Sequence, residues 1–305
     1  MNKNNETILE VENLSKFFYS GIINKEMTVG AKDVSFEVKE GEILSLIGES
    51  GSGKTTIGRM ILKLLDPSEG NIYFRGKDIT EINSKDEKKE YYRYVQGVFQ
   101  DPFSTFNSLF KVKRIFDMVY REFMPDAENK EENILQALDE VNLTPELLDK
   151  FPHQLSGGQL QRMLIARALL LDVDLLIADE LISMLDASTR MGILNLLIDI
   201  CKEKGMSIIF ITHDLNLGYY LSDYTLILRN GRLVERGKTK KIYDNPIHPY
   251  TQMLFESVPD KKEKWDRDDQ FLPEEIDDYV ADFYQKKEGS GFQAVDEEHH
   301  VLFSE

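Results

Sequence analysis

Cysteine is nearly absent: Cys201 is the only one in 305 residues. A single thiol excludes an intramolecular disulfide, a thiolate zinc cage and a four-cysteine iron–sulfur site. It leaves Cys201 as a small apolar residue of a helix, in a chain suited to a reducing compartment. Histidine is scarce as well, and His153, His248, His299 and His300 fall at no metal-ligand spacing. Positive charge is in deficit, with 37 Lys and Arg against 54 Asp and Glu and a formal net charge of −17. That balance argues against a nucleic-acid surface, which needs a basic footprint. No apolar run approaches the eighteen residues of a membrane span; the longest are of the size of Leu169–Leu171 and Leu175–Ala178. The opening Met1–Glu6 has no apolar stretch, so no signal peptide is expected. Internal repeats are absent.

Against these absences one stretch stands out, Gly48-Glu49-Ser50-Gly51-Ser52-Gly53-Lys54-Thr55. It follows the apolar run Ile43–Ile47 and opens into Thr56–Leu65, which gives strand, glycine loop and helix, the context of a phosphate-binding loop. Glycines let consecutive backbone N–H groups turn toward phosphate oxygens, and a helix N-terminus adds its positive end. Lys54 is then expected to reach the β- and γ-phosphates, and the Thr55 hydroxyl to hold Mg²⁺.

Period-two alternation predicts strands over 8–18 and 32–39, with a loop over 19–30. The helix after the glycine loop is expected to run to Asp66-Pro67, and a short strand to lie between Gly70 and Gly76. Val95–Phe99 reads as a strand ending at Gln100-Asp101-Pro102. Helices follow over 112–123, 131–141 and 158–171, a helical block inserted into an α/β framework. Leu175–Ala178 and Ser207–Ile211 are apolar without alternation, the mark of strands buried on both faces in a mostly parallel sheet. A helix is read over 192–202 between them. Asn230-Gly231 between two apolar runs predicts a hairpin. From Asp260 to the end the chain holds fifteen acids against six bases, and reads as an acidic appendix with one amphipathic piece over 274–285 and a hinge at 289–291.

Asp179 and Glu180 close the strand Leu175–Ala178, where parallel sheets bind ligands. Alternation along a strand sends the two acids to opposite faces. Asp179 is the candidate for a Mg²⁺ shell and Glu180 for the base that polarises an attacking water. Taken alone, such a pair is equally a solvated strand end; the phosphate loop upstream gives it its reading. His213 follows the strand 207–211 and can meet a γ-phosphate, where a lone histidine would more simply be structural. Gln100 ends a third strand, and its amide oxygen can touch Mg²⁺ or water. Ser156-Gly157-Gly158-Gln159, after Leu155, opens a second glycine-rich helix N-terminus. With one phosphate loop already present, this second anion-binding end is expected to face the nucleotide of another subunit.

The chain resembles the ATP-binding subunits of ABC transporters. The resemblance spans residues 8–258 in order: Walker A at 48–55, the Q-loop at Gln100, LSGGQ at 155–159, Walker B at 175–180, the D-loop at Ser183–Asp186 and the switch His213. It implies an α/β fold with a RecA-like P-loop NTPase core, an antiparallel β subdomain and an inserted α-helical subdomain over about 101–172. Residues 1–258 would form this nucleotide-binding domain and 259–305 an acidic C-terminal extension. It further implies that two subunits sandwich two ATP molecules, each between one P-loop and the opposite signature. Lys54, Glu180 and His213 would then be catalytic, and Thr55, Gln100 and Asp179 would hold Mg²⁺. Gly48–Thr56 (including Thr56 itself), Gln100 and Ser156–Gln159 would bind the nucleotide. Phe18 would stack on adenine, with Phe17 or Tyr19 able to substitute.

Val98–Asn107 and Asn245–Leu254 resemble segments of the oligopeptide and dipeptide importers, and the ending Glu298–Leu302 their closing strand. Lacking the cysteine cluster of some D-type subunits, the chain is similar to the F-type half. The implied partners are a D-type ATPase in a heterodimer, two membrane permeases and an extracytoplasmic substrate-binding protein, with no nucleic acid. The implied location is peripheral, on the cytoplasmic face of the cell membrane. Relatives also move nickel chelates or sugars, and soluble ABC ATPases act on translation or DNA; the acidic charge and single ATPase module speak against the latter. Leu181 and Ile182 stand where the family has proline and threonine, and Met184 where alanine is common, so coupling between the two sites is in question there. No catalytic position is replaced, which argues against a regulatory subunit that binds ATP without hydrolysing it.

Overall fold

The computed structural model describes residues 6–21, 26–257, 276–286 and 291–303. In chain order the first elements are β1 (Thr7–Ser20), β2 (Glu26–Lys39), β3 (Ile43–Ile47), α1 (Lys54–Ile61), β4 (Glu69–Phe74) and β5 (Lys77–Asp78). Next come α2 (Lys85–Tyr94), β6 (Val95–Phe99), α3 (Pro102–Thr105), α4 (Arg114–Phe123), α5 (Lys130–Glu140) and α6 (Gly157–Leu169). The order continues with β7 (Leu175–Asp179), α7 (Ala187–Lys204), β8 (Ser207–Thr212), α8 (Leu215–Leu221), β9 (Tyr224–Arg229) and β10 (Arg232–Lys238). It ends with α9 (Thr239–Asp244), α10 (Pro249–Glu256), α11 (Ile276–Lys286), β11 (Phe292–Asp296) and β12 (His299–Leu302). No helix among the described residues is long and apolar enough to cross a membrane.

Two compact units divide the chain. One consists of 1–8, 39–41 and 81–209. Its strands β6 and β7 pair in parallel, from Val95 opposite Leu175 to Phe99 opposite Asp179, and the start of β8 lies on the other side of β7. All five residues of β7 are buried, which is why it carries no alternation. The helices around them meet sequence signals at their ends. Ser84 and Glu87 form a capping box on α2, Asp186 caps α7, and Gly205 ends α7 in the left-handed conformation. Helix α7 begins five residues earlier than its apolar spacing predicts, because Asp186 supplies the N-cap. Cys201 is buried on α7, and its thiol donates to the carbonyl of Gly41.

The other unit holds 9–38, 42–80 and 210–305. Here β1 pairs antiparallel with β4, and β4 with β5, in a four-stranded sheet of order β2-β1-β4-β5. A second set of strands runs β11-β12-β10-β9-β3, followed by the end of β8. Within it β3 and β9 are parallel, while β9–β10 and β10–β12 are antiparallel. The hairpin signal is realised at Asn230-Gly231, with positive φ at both residues.

Three expectations change. The loop over 19–30 is largely strand: β1 continues to Ser20 and β2 starts at Glu26. Gly30 is a strand glycine whose Cβ would lie 2.5 Å from the Phe18 ring, so close approach, and not a turn, explains it. Helix α1 stops at Ile61, ahead of Asp66-Pro67, because Lys63 takes φ 52° just past its end. That conformation is held by the Lys63 ammonium, which donates to Asp66 Oδ1 (2.7 Å) and Thr80 O (2.9 Å). The C-terminal residues described, 276–286 and 291–303, are no appendix. Ile276 and Val280 of α11 and Leu302 of β12 join the core of Ile47, Ile227, Val234, Ile242 and Tyr250. The acids Asp277 and Asp278 face outward. The hinge read at 289–291 lies outside the described residues except for Gly291.

A buried polar cluster ties these C-terminal elements down. Glu235 on β10 accepts from the backbone N–H groups of Ile247 and His248, and its Oε1 lies 2.6 Å from His299 Nε2 of β12. His248 caps α10 by accepting the Tyr250 N–H at Nδ1, and its Nε2 lies 3.1 Å from the Tyr284 hydroxyl of α11. Burial, with the Arg229 charge, pushes the His248 imidazole down to about 3. Since the unfolded histidine titrates near 6.5, the unfolded chain takes up this proton first as pH falls, and stability drops across the window from about 6.5 to about 3. Acidification from pH 7.5 to 5 is expected to cost about 2 kcal/mol through this residue. In urea midpoints at the two pH values, His248→Asn, which keeps a capping acceptor, should show a loss smaller by that amount; equal losses would remove His248 as the cause.

Candidate functional site

The glycine loop is built by close approach. Gly48 follows β3, and a Cβ there would lie 2.2 Å from the Leu228 carbonyl of β9. Gly53, at φ 105°, would place a Cβ 2.1 Å from the Gly30 carbonyl of β2. The hairpin tip is hydrogen-bonded to the same loop: Gly231 N–H donates to Ser52 O (2.9 Å), and Lys32 N–H to Gly231 O (2.8 Å). The loop therefore rests on β2 and on the β9–β10 turn. Lys54, buried, donates to the carbonyls of Gly48 and Glu49 at 2.7 Å each, with Ser52 Oγ at 3.4 Å. Its ammonium thus sits inside the curve of the loop, where a phosphate oxygen would meet it. Glu49, Ser50 and Gly51 form the exposed rim, and Thr55 and Thr56 begin α1 half-buried.

Phe18 lies beside this loop. Its ring covers Gly30, and a Cβ on that glycine would also lie 3.0 Å from the Thr56 methyl. The ring remains 40% exposed, with the Lys16 ammonium 5.7 Å from its centroid. An exposed aromatic face next to Gly53 and Thr56 suits stacking on a base. Phe17 is half-buried and Tyr19 exposed, and neither makes this contact. His213 follows β8 in the same unit, exposed, just ahead of Asp214, which caps α8.

In the other unit Asp179 is the buried last residue of β7. Glu180 has left the strand: its φ is 48°, so the chain turns at once, and strand alternation does not set the direction of its carboxylate. Its carbonyl accepts from the N–H (3.1 Å) and the hydroxyl (3.0 Å) of Ser183, which fixes the turn. Arg190 holds the following residues by donating to Leu185 O and Ser183 O. Leu181 and Ile182, the departures from the family pattern, are both buried, whereas Met184 is 65% exposed. Hydrogen bonds from Ser188 and Thr189 hold the Asp186 carboxyl well below the usual carboxylate range.

Ser156 and Gln159 form a capping box at the start of α6: Gln159 N–H donates to Ser156 Oγ, and Ser156 N–H to Gln159 Oε1. Gly158 has a packing reason of its own, since a Cβ would lie 2.4 Å from the Thr189 methyl of α7. Gln100 is exposed after β6, and Asp101 caps α3. Sequence reading missed Gln161. This buried residue of α6 donates to Phe99 O (3.2 Å), next to Gln100, and its own amide oxygen has no partner. Its only sequence trace is a polar residue among Leu160, Met163 and Leu164. Arg167, further along α6, donates to Gln96 Oε1 and Gly97 O of β6.

The chain is similar to known proteins over most of its length. Residues 31–183 match the ABC transporter family, and residues 234–289 match the oligopeptide/dipeptide transporter C-terminal region. The oligopeptide transport ATP-binding protein OppF of Streptococcus pyogenes serotype M1 is 43% identical over 256 residues, covering 83% of this chain and 82% of its own. The dipeptide transport ATP-binding protein DppF of Haemophilus influenzae is 37% identical over 262 residues, or 84% and 80% of the two chains. Among solved structures, the ATP-binding cassette MJ0796, in a dimeric post-hydrolysis state bound to ADP and Pi, superposes with a TM-score of 0.68. It is 27% identical and covers 76% of this chain and 98% of its own. The cbiO1 protein of Clostridium perfringens gives a TM-score of 0.67 at 29% identity, with 78% and 91% covered. The fold is thus that of the P-loop ATPases, and the chain belongs to the ATP-binding proteins of the ABC transporters, in the branch that carries the oligopeptide/dipeptide C-terminal region.

Proposed function

We propose that this chain is the ATP-hydrolysing subunit of an importer for peptides. The observation that carries the reading is the joint match of its ATPase region and its C-terminal region to oligopeptide transport ATP-binding proteins over most of both chains. Lys54 and the loop 48–56 bind the phosphates, and Phe18 stacks on adenine. Ser156, Gly157, Gly158 and Gln159 face the ATP of a second ATPase subunit, of the D-type, in a heterodimer. Glu180 orients or deprotonates the attacking water, and His213 with Lys54 stabilises the γ-phosphate charge. Thr55, Asp179 and Gln100 offer a hydroxyl, a carboxylate and an amide oxygen, hard donors that suit Mg²⁺ better than a softer metal. When bound, the ion neutralises charge on the phosphate oxygens.

Two membrane permeases and an extracytoplasmic substrate-binding protein complete the transporter, with this subunit peripheral on the cytoplasmic face. Support for a permease-docking surface comes from exposed Phe103, Leu109 and Phe110 after Gln100, and from a nearby groove of about 260 Å³ lined by Ile115, Met118, Val119 and Arg167. The test is to purify the complex with its permeases, reconstitute it in vesicles, and measure ATP-dependent uptake together with mass-spectrometric identification of co-purified cargo. Uptake of peptides is the expected result. Transport of nickel chelates or sugars alone would overturn the cargo assignment, and purification with ribosomes or DNA instead of permeases would overturn the transporter.

A further inference from the structure

The C-terminal elements reach the phosphate loop through one side chain. Tyr250, at the start of α10, is buried, and its phenolic oxygen accepts the backbone N–H of Glu49 at 3.1 Å. Glu49 is the second residue of the loop 48–55. Tyr250 is itself fixed from behind. The Arg229 guanidinium lies 5.4 Å from the centroid of its ring, and Arg229 pairs with Asp277 in the first turn of α11. The turn that leads into α10 hangs on Glu235, which is joined to His299 of β12, and on His248, which is joined to Tyr284 of α11. Arg229, Glu235 and His248, which pin Tyr250 and its turn, are thus each joined to a residue of α11 or β12, in the same unit as the loop.

A loop with three glycines has many conformations in which its N–H groups point away from a phosphate, and selecting one in advance raises affinity without adding a contact to the ligand. We propose that the C-terminal elements α11 and β12 are a brace that pre-organises the phosphate-binding loop, with Tyr250 as the positioning residue through which they act. Tyr250 touches the loop through the backbone of Glu49. Its hydrogen bond fixes the loop between the end of β3 and the flexible Gly51, leaving the later N–H groups for the nucleotide. The inference rests on the reading of 48–55 as the nucleotide site.

Tyr250→Phe tests it in the full chain assembled with its partner subunits. The substitution keeps the ring against Arg229 and removes only the acceptor of the Glu49 N–H. Expected are a Kd for a fluorescent ATP analogue and a KM for ATP both raised about fivefold, the size of one hydrogen bond of ordinary net strength. The kcat stays as in the wild type, the melting temperature falls by no more than about 4 °C, and amide exchange over 49–52 quickens. Tyr284→Phe, one step removed, should shift Kd in the same direction by less, and the double variant should be no weaker than Tyr250→Phe, because both act through one contact. Wild-type Kd and KM in Tyr250→Phe, a fall in kcat at constant KM, or additive losses in the double variant would each overturn the brace. Should the wild type itself fail to bind the analogue, the nucleotide reading of the loop falls first and the brace with it.

Discussion

Glu180→Gln should leave ATP binding intact and lower turnover by about a hundredfold or more, the size of effect lost with a positioned general base. The substitution is isosteric and removes only the carboxylate charge. Its backbone is held at φ 48°, with the carbonyl fastened by both the N–H and the hydroxyl of Ser183. Glutamine keeps these bonds, so a loss of rate cannot be assigned to a rearranged turn. Phosphate release and nucleotide binding, measured on the complex with its partner subunits, separate the two steps. Turnover near that of the wild type would remove Glu180 from the role of base.

The second large effect belongs to the glycine loop. Gly53→Ala should weaken nucleotide binding by about a hundredfold, because a Cβ at φ 105° is strained and lies 2.1 Å from the Gly30 carbonyl. Backbone stands on both sides, so relief requires the loop to move off β2, taking the start of α1 with it. Gly51→Ala is the control. Its φ is 85°, but nothing lies within 4 Å of the added carbon, so conformational strain alone remains, about tenfold in Kd. Titration with a fluorescent ATP analogue measures both, and melting curves show whether the variants stay folded. Equal losses would mean that strain suffices and that the approach to Gly30 is incidental.

How far the sequence foretells this molecule depends on whether the decisive contact is local. The glycine loop, the buried strands β3, β7 and β8, the hairpin at Asn230-Gly231 and the start of α6 at Ser156 each depend on neighbours within a few residues, and each is readable. Tyr250 on Glu49 spans 201 residues, and nothing in the spacing announces it. Gly30 reads as a turn because a bare glycine does not reveal that an aromatic ring covers it. Composition misleads in the C-terminal segment. The amphipathic piece over 274–285 is legible and becomes α11, yet its spacing does not say that Ile276 and Val280 join the core of Ile47, Ile227 and Tyr250. Glu180 is the subtler case. Its identity and place after β7 are legible, yet the left-handed turn that aims it is held by Ser183, whose part in that turn no spacing reveals.

The last two strands also decide what the molecule shows to its neighbours. Without β12, strand β10 would present a row of unpaired N–H and C=O groups, an invitation to pair with another chain. Instead the outermost position falls to β11, five residues long, with its register broken between Ala294 and Asp296 and Lys241 paired to Asp296 beside it. A short, irregular and charged border of this kind resists extension by a foreign strand. Shortened forms of the protein that end before residue 292 would therefore be expected to stick to one another, even with every residue of the nucleotide site in place.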